Sequence, residues 1–188
     1  MQTPDSTTSI LQDWEGIIFD LDGTLVRLVV PWQVVDAEIA TLFRDRGRQL
    51  PEDEELWSFL HIAEEDGFRS EVEDILQAYE IDGAEASRAL PLLDYLWRID
   101  QPIAVCSLNC ETACRIALET HDSLEAVEGV IGRDSVSTWK PSPEPLEAAI
   151  DTINATVDES VFIGDSYRDE KTANAAGVEF RYVKDIVG

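Results

Sequence analysis

The chain has 188 residues and a formal net charge of −25, from 39 acidic side chains against 14 basic ones. A field of that sign repels nucleic acid and anionic membrane surfaces, no apolar run approaches the roughly 20 residues that span a bilayer, and the polar start over Met1 to Ser9 lacks the basic and apolar regions of a secretory signal. The length suits one α/β domain with a modest insert, so the expectation is a soluble, cytoplasmic protein, a monomer or small homo-oligomer, with no nucleic-acid or membrane partner.

In chain order, the first element is Gly16-Ile17-Ile18-Phe19-Asp20-Leu21-Asp22-Gly23-Thr24-Leu25. An apolar run ending at once in Asp-x-Asp-Gly predicts a buried strand that delivers acids to its C-terminal edge, where open α/β sheets bind ligands. The side-chain period of two sends Asp20 and Asp22 to the same side, and Gly23 allows an immediate turn. A calcium loop counted from Asp20 fails, because Leu25 stands where that loop needs glycine and Pro31 where it needs its bidentate glutamate.

Helical spacing follows for some sixty residues. Val35, Ile39, Leu42 and Phe43 share one face of a helix that begins after Pro31 and is closed by Gly47 and Pro51. Leu56, Phe59, Leu60 and Ala63 repeat the pattern before Gly67, and Val72, Ile75, Leu76 and Tyr79 repeat it before Gly83. From about Ala89 strands and helices alternate as in a doubly wound sheet. Leu92, Leu93, Leu96 and Trp97 predict a helix, Ile103 to Cys106 a strand, Glu111 to Glu119 a helix and Gly129 to Ile131 a short strand. Ser142 is expected as the N-cap of a helix through Ile153, with Pro143 in its first turn. A strand over Ser160 to Ile163, a helix from about Arg168 stopped by Gly177, and a strand over Phe180 to Val183 complete the chain.

Cys106, Cys110 and Cys114 recur every fourth residue, yet no neighbouring His or fourth Cys completes a tetrahedral metal site, so they are expected as small buried residues. His61 and His121 are expected to be packing or surface residues. Three lysines stand against eleven arginines, and the acids are dispersed along the chain. Dispersed acids suit a surface hydrated in concentrated salt, where the Debye length shrinks to about 3 Å at 1 M, and a halophilic protein is the expectation.

Four separated segments carry a resemblance. Asp20-Leu-Asp-Gly-Thr-Leu25, Ser107 after the strand ending at Cys106, Lys140-Pro-Ser-Pro143 and Gly164-Asp-Ser-Tyr-Arg-Asp169 together resemble, in order and spacing, the four motifs of the haloacid-dehalogenase-like hydrolase superfamily, and in particular its phosphoglycolate-phosphatase-like members. The resemblance extends from about residue 15 to near the end of the chain. It implies a Rossmann-like parallel sheet flanked by helices, formed by residues 1–27 and 90–188, with an inserted small helical cap over 28–89. It also places the Asp20 strand centrally, beside the Ser160 strand.

The resemblance further implies a Mg²⁺-dependent phosphatase for a small phosphorylated metabolite. Asp20 would be the nucleophile and Asp22 the general acid and base, the second acid that distinguishes phosphoryl transfer from carbon–halogen cleavage in this superfamily. Lys140, Ser107 and the Leu108 backbone N–H would hold the phosphoryl oxygens. The Asp20 and Asp165 carboxylates and the Asp22 carbonyl would bind the metal, with Asp169 binding it directly or through water. Leu108 stands where relatives often have asparagine, which leaves Asn109 without an assigned role. A phosphomutase using the same residues and a non-catalytic metabolite-binding relative are the alternatives.

Overall fold

The computed structural model describes residues 11–48 and 56–187. The polar start over Met1 to Ser9 and the helix stop expected at Pro51 lie outside the described residues, as does the side chain of Leu56. Five strands form one parallel sheet in the order β5-β4-β1-β6-β7, where β1 is Gly16–Phe19, β4 Ile103–Cys106, β5 Gly129–Ile131, β6 Ser160–Gly164 and β7 Glu179–Tyr182. The parallel α/β sheet is the one anticipated from the alternation of elements, and its arrangement is the Rossmann-like one that the resemblance implied.

The run Gly16–Phe19 is buried throughout, because both faces of a parallel sheet are covered. Ile17 and Phe19, with Val105 and Ile163, enter a cluster shared with Leu93, Leu96, Ala113 and Leu118. Ile18, Ala104 and Phe162 face the opposite layer, with Leu146 and Ile150. Those layers hold the helices Glu111–Thr120 (α4) on one side and Glu144–Thr152 (α5) on the other, with Tyr167–Ala176 (α6) contributing Ala173. The register aligns Phe19 with Val105 on one neighbour and with Ile163 on the other. Asp20, Ser107 and Asp165 therefore emerge at one edge of the sheet.

Among the described residues, three α-helices lie between β1 and β4: Trp32–Asp45 (α1), Leu56–Glu65 (α2) and Arg69–Glu85 (α3). Their apolar faces enclose a separate core of Val35, Ile39, Phe43, Phe59, Leu60, Ala63, Phe68, Val72 and Leu76. Trp139 is buried in that same core and Leu108 packs against it. Both come from segments between strands of the sheet, and each is the chain neighbour of an expected site residue. The two strands joining helices to sheet, β2 (Val26–Arg27) and β3 (Arg88–Ala89), pair antiparallel with each other. Two-residue strands carry no periodic pattern, so this ribbon was not foreseen.

Three local expectations are corrected. Pro91–Arg98 winds as a 3₁₀ helix and not an α-helix; its longer rise per residue suits a short connection from the ribbon to β4. Gly83 does not end its helix, since α3 continues to Glu85. It serves close approach, because a Cβ there would fall 2.7 Å from Val30 Cγ2 and 3.1 Å from the Val29 carbonyl carbon. Ser142 is not an N-cap. Its Oγ accepts from Thr138 Oγ1 at 2.9 Å, and α5 starts after Pro143 with no side-chain cap.

Gly177 closes α6 in the left-handed conformation as expected, with φ 72°. The three cysteines are free and buried. His61 stacks on Trp139 with ring centroids 4.4 Å apart, and His121 Nε2 lies 3.1 Å from Ser87 Oγ.

Candidate active site

β1 carries Asp20 into the interior, 5% exposed, and Leu21 turns the chain back by accepting from the N–H groups of Thr24, Leu25 and Val26. Gly23 adopts φ 93°, and a Cβ there would come within 2.0 Å of Asp165 Oδ2. The glycine thus meets two demands, a left-handed turn and room for a carboxylate from the next strand. Asp22 leaves the same turn at the cavity wall. Its Oδ1 accepts from the Leu28 N–H at 2.9 Å, with Arg27 Nη1 at 3.8 Å.

Lys140 reaches this edge with only 2% of its surface exposed. Its Nζ donates to Asp20 Oδ1 at 2.7 Å, Asp169 Oδ1 at 2.5 Å and the Cys106 carbonyl at 3.2 Å. Asp169 is placed by the first turn of α6, in a capping box with Ser166: its Oδ2 accepts from Ser166 Oγ at 2.5 Å and Ser166 N–H at 3.1 Å. Ser107 extends the β4–β5 pairing through its N–H to the Ile131 carbonyl. Its Oγ donates to Asn109 Oδ1 at 3.1 Å and accepts from the Asn109 N–H at 3.2 Å. Asn109, left without a role by the sequence, orients the serine hydroxyl.

Carboxylate oxygens of Asp20, Asp165 and Asp169 lie within 4.8 Å of one another. Burial pushes the Asp20 carboxyl up to about 7; the Lys140 ammonium pulls against that rise, and the charges of Asp169 and Asp165 add to it. Asp165 is raised by burial and then by Asp169. Burial raises Asp22 too, opposed by the Leu28 N–H and the Arg27 charge. Burial alone would lower Lys140, but Asp169 and Asp20 outweigh it and hold the ammonium protonated well above the ordinary lysine range. Three mutually repelling hard oxygen donors around one buried ammonium form an acid-rich pocket suited to a small divalent cation.

One cavity of about 150 Å³ is lined by all seven expected site residues, namely Asp20, Asp22, Ser107, Leu108, Lys140, Asp165 and Asp169. Five further residues without a role assigned from the sequence line it as well: Asn109 and Ser166, already described, and Trp32, Trp57 and Arg168. Trp32 from α1 and Trp57 from α2 line the cavity, with their rings in edge contact at 6.2 Å. Arg168, inside a segment already singled out, lines it from α6. Trp32 and Trp57 carried no local signal, since a tryptophan on an amphipathic helix reads first as core.

A family model for haloacid dehalogenase-like hydrolases matches residues 17–183. A phosphoglycolate phosphatase of Cereibacter sphaeroides (strain ATCC 17025) is 28% identical over 185 residues, covering 88% of this chain and 83% of the relative. The pyrophosphatase PpaX of Listeria monocytogenes serotype 4b (strain CLIP80459) is 30% identical over 174 residues, covering 81% and 75%. Among solved structures, CbbY from Rhodobacter sphaeroides in complex with phosphate superposes with a TM-score of 0.62 at 18% identity, over 90% of this chain and 85% of that one. At that identity the likeness is one of fold.

Proposed function

The chain belongs to the haloacid dehalogenase-like hydrolases, and from that premise we propose that it is a Mg²⁺-dependent phosphatase acting on a small phosphorylated metabolite through an aspartyl-phosphate. The observation that carries this reading is Asp20, a buried carboxylate whose Oδ1 is 2.7 Å from the Lys140 ammonium, facing one small cavity together with Asp22 and Ser107. Relatives described as phosphoglycolate phosphatase and pyrophosphatase agree with a small, highly charged substrate.

Enzymes that cleave phosphate monoesters provide accelerations up to about 10²¹-fold, so several effects must act together. An Asp20 oxygen bonds to phosphorus as the bond to the departing oxygen breaks, and Asp22 delivers its proton to that oxygen. Asp22, then ionised, takes a proton from the water that attacks phosphorus and frees Asp20. The burial that raises the Asp22 pKa keeps the proton available for the first half. Lys140 and the Ser107 hydroxyl hold phosphoryl oxygens, the lysine as a point charge. The Asp20 and Asp165 carboxylates and the Asp22 carbonyl would hold Mg²⁺, with Asp169 completing the set. When bound, the ion offsets the negative charge that carboxylates and phosphate bring together.

Residues 28–89 act as a cap that shuts water out and screens substrates with Trp32 and Trp57. The charge of −25 is read as a surface for a salt-rich cytoplasm.

The test is turnover of an aryl phosphate by purified protein in molar KCl, with Mg²⁺ or with excess chelator, followed by a panel of phosphorylated metabolites. Mg²⁺-dependent phosphate release is expected. Full turnover in chelator, or no release from any phosphorylated compound with Mg²⁺, would overturn the reading.

A further inference from the structure

Arg133 lies just beyond β5, and its side chain is wholly buried. Burying a guanidinium costs several kcal/mol unless its donors are matched, and here the matches come from two parts of the molecule. From α3, Glu80 is also fully buried and takes Arg133 Nη1 at 2.6 Å and Nη2 at 3.2 Å. Glu73, two helical turns earlier, takes Nε at 2.9 Å. From the segment after β4, the Leu108 carbonyl accepts from Nη1 at 2.6 Å.

The pair reaches that segment twice more. Glu80 Oε2 accepts from the Cys110 N–H at 2.9 Å, and the Arg133 N–H donates to the Asn109 carbonyl at 2.9 Å. The guanidinium carbon also stands 5.4 Å from the ring centre of Trp57, a cavity wall. Residues 108, 109 and 110 are thus pinned from one buried arginine and its carboxylate partner, while Ser107 is oriented by Asn109.

We infer that the Arg133–Glu80 pair is a positioning device for the phosphate-binding segment 107–110, so that phosphate affinity depends on α3 being seated on the sheet domain. This rests on the phosphatase reading above for what the segment binds. Neither residue reaches the reacting atoms. The forked guanidinium sets the plane of the Leu108–Asn109 peptide, and its three nitrogens make four hydrogen bonds, to Glu73, to both Glu80 oxygens and to the Leu108 carbonyl, one more than the three N–H donors of a lysine ammonium supply.

The test compares Glu80→Gln and Arg133→Lys with Val72→Ala, which loosens the α3 core and removes no hydrogen bond to the segment. Competition by inorganic phosphate is measured in the aryl phosphate assay, well below each melting midpoint, and amide hydrogen exchange is followed over residues 107–114. In Glu80→Gln and Arg133→Lys the phosphate inhibition constant and KM should rise together by about tenfold or more, the scale of sub-ångström misplacement. Exchange of the segment should quicken, while the Mg²⁺ concentration for half activity stays unchanged.

Val72→Ala should change only the melting midpoint. If Arg133→Lys does not fold, Glu80→Gln decides. Unchanged exchange and inhibition in the Glu80 variant, or the same rise in Val72→Ala, would overturn the inference. A wild-type protein that releases no phosphate from the aryl phosphate would instead sink the phosphatase reading, and segment exchange would still judge the pair.

Discussion

Lys140 Nζ stands 2.7 Å from Asp20 Oδ1, with both side chains under 10% exposed, and a second carboxylate, Asp169, meets the same ammonium at 2.5 Å. Removing the cation strands buried acids. Lys140→Met should lose about 3–5 kcal/mol of stability in chelator at pH 8, the cost of breaking a buried pair. The pH dependence has a definite sign. Asp20 and Asp165 are carboxyls whose folded pKa values lie above their unfolded ones, Asp20 at about 7. Ionised, each penalises the fold; for Asp20 the penalty grows as pH rises from the ordinary carboxyl range through about 7, and protonation relieves it in acid. Melting curves at pH 8 and 5.5 should show the gap between variant and wild type shrinking in acid, and shrinking with saturating Mg²⁺ at pH 8. A gap independent of both would contradict this electrostatic account.

Asp20 and Asp22 share an edge, and the proposed mechanism gives them different roles. Asp22→Asn should cut turnover by about 10²- to 10⁴-fold, the usual worth of general acid or base help. With an aryl leaving group that scarcely needs protonation, the second half suffers more, so phosphoenzyme accumulates on Asp20. Intact-protein mass spectrometry after acid quench should find one added phosphoryl group in Asp22→Asn and none in Asp20→Asn. Burial raises the Asp22 pKa, so its neutral isostere should melt at the same temperature as wild type or higher. Wild-type turnover in Asp22→Asn, or phosphoenzyme in Asp20→Asn, would refute the assignment.

The net charge of −25 makes the compact state repel itself when screening is weak. The melting midpoint should rise between 50 mM and 2 M KCl. A midpoint that holds or falls would reject the salt-adapted surface and leave the chemistry untouched.

Burial pushes the Cys106 and Cys110 thiols up to about 12 and Cys114 also well above the ordinary range. Folded pKa values above the unfolded ones mean that this contribution to stability is intact below about pH 8.5 and fades as pH climbs toward 12, by up to about 1.4 kcal/mol per unit for each thiol. Iodoacetamide at pH 8.5 should leave all three unmodified in the native protein and modify all three in guanidinium. Rapid alkylation of any of them without unfolding would show that the thiol is neither buried nor suppressed.

Sequence alone determined the elements whose signal is local. Gly16–Phe19 is too apolar to be anything but a covered strand, Gly177 follows the last helical turn of α6, and the faces of α1 and α3 repeat every three to four residues, so hydrophobic burial settles them within one segment. The acids at the sheet edge were legible for the same reason, since a strand's two-residue period puts Asp20 and Asp22 on one side. Where the signal needed a partner, local reading failed: Ser142 has the chemistry of a cap, yet its hydroxyl accepts from Thr138 instead, and Gly83 looks like a helix stop until Val29 and Val30 are seen against it. Only the tertiary structure decided that Trp32 and Trp57 line the cavity, that Asn109 orients Ser107, and that Arg133 meets Glu80 across 53 residues. Buried polar groups must find partners wherever the fold brings them, and that obligation acts through space and leaves no periodic trace along the chain.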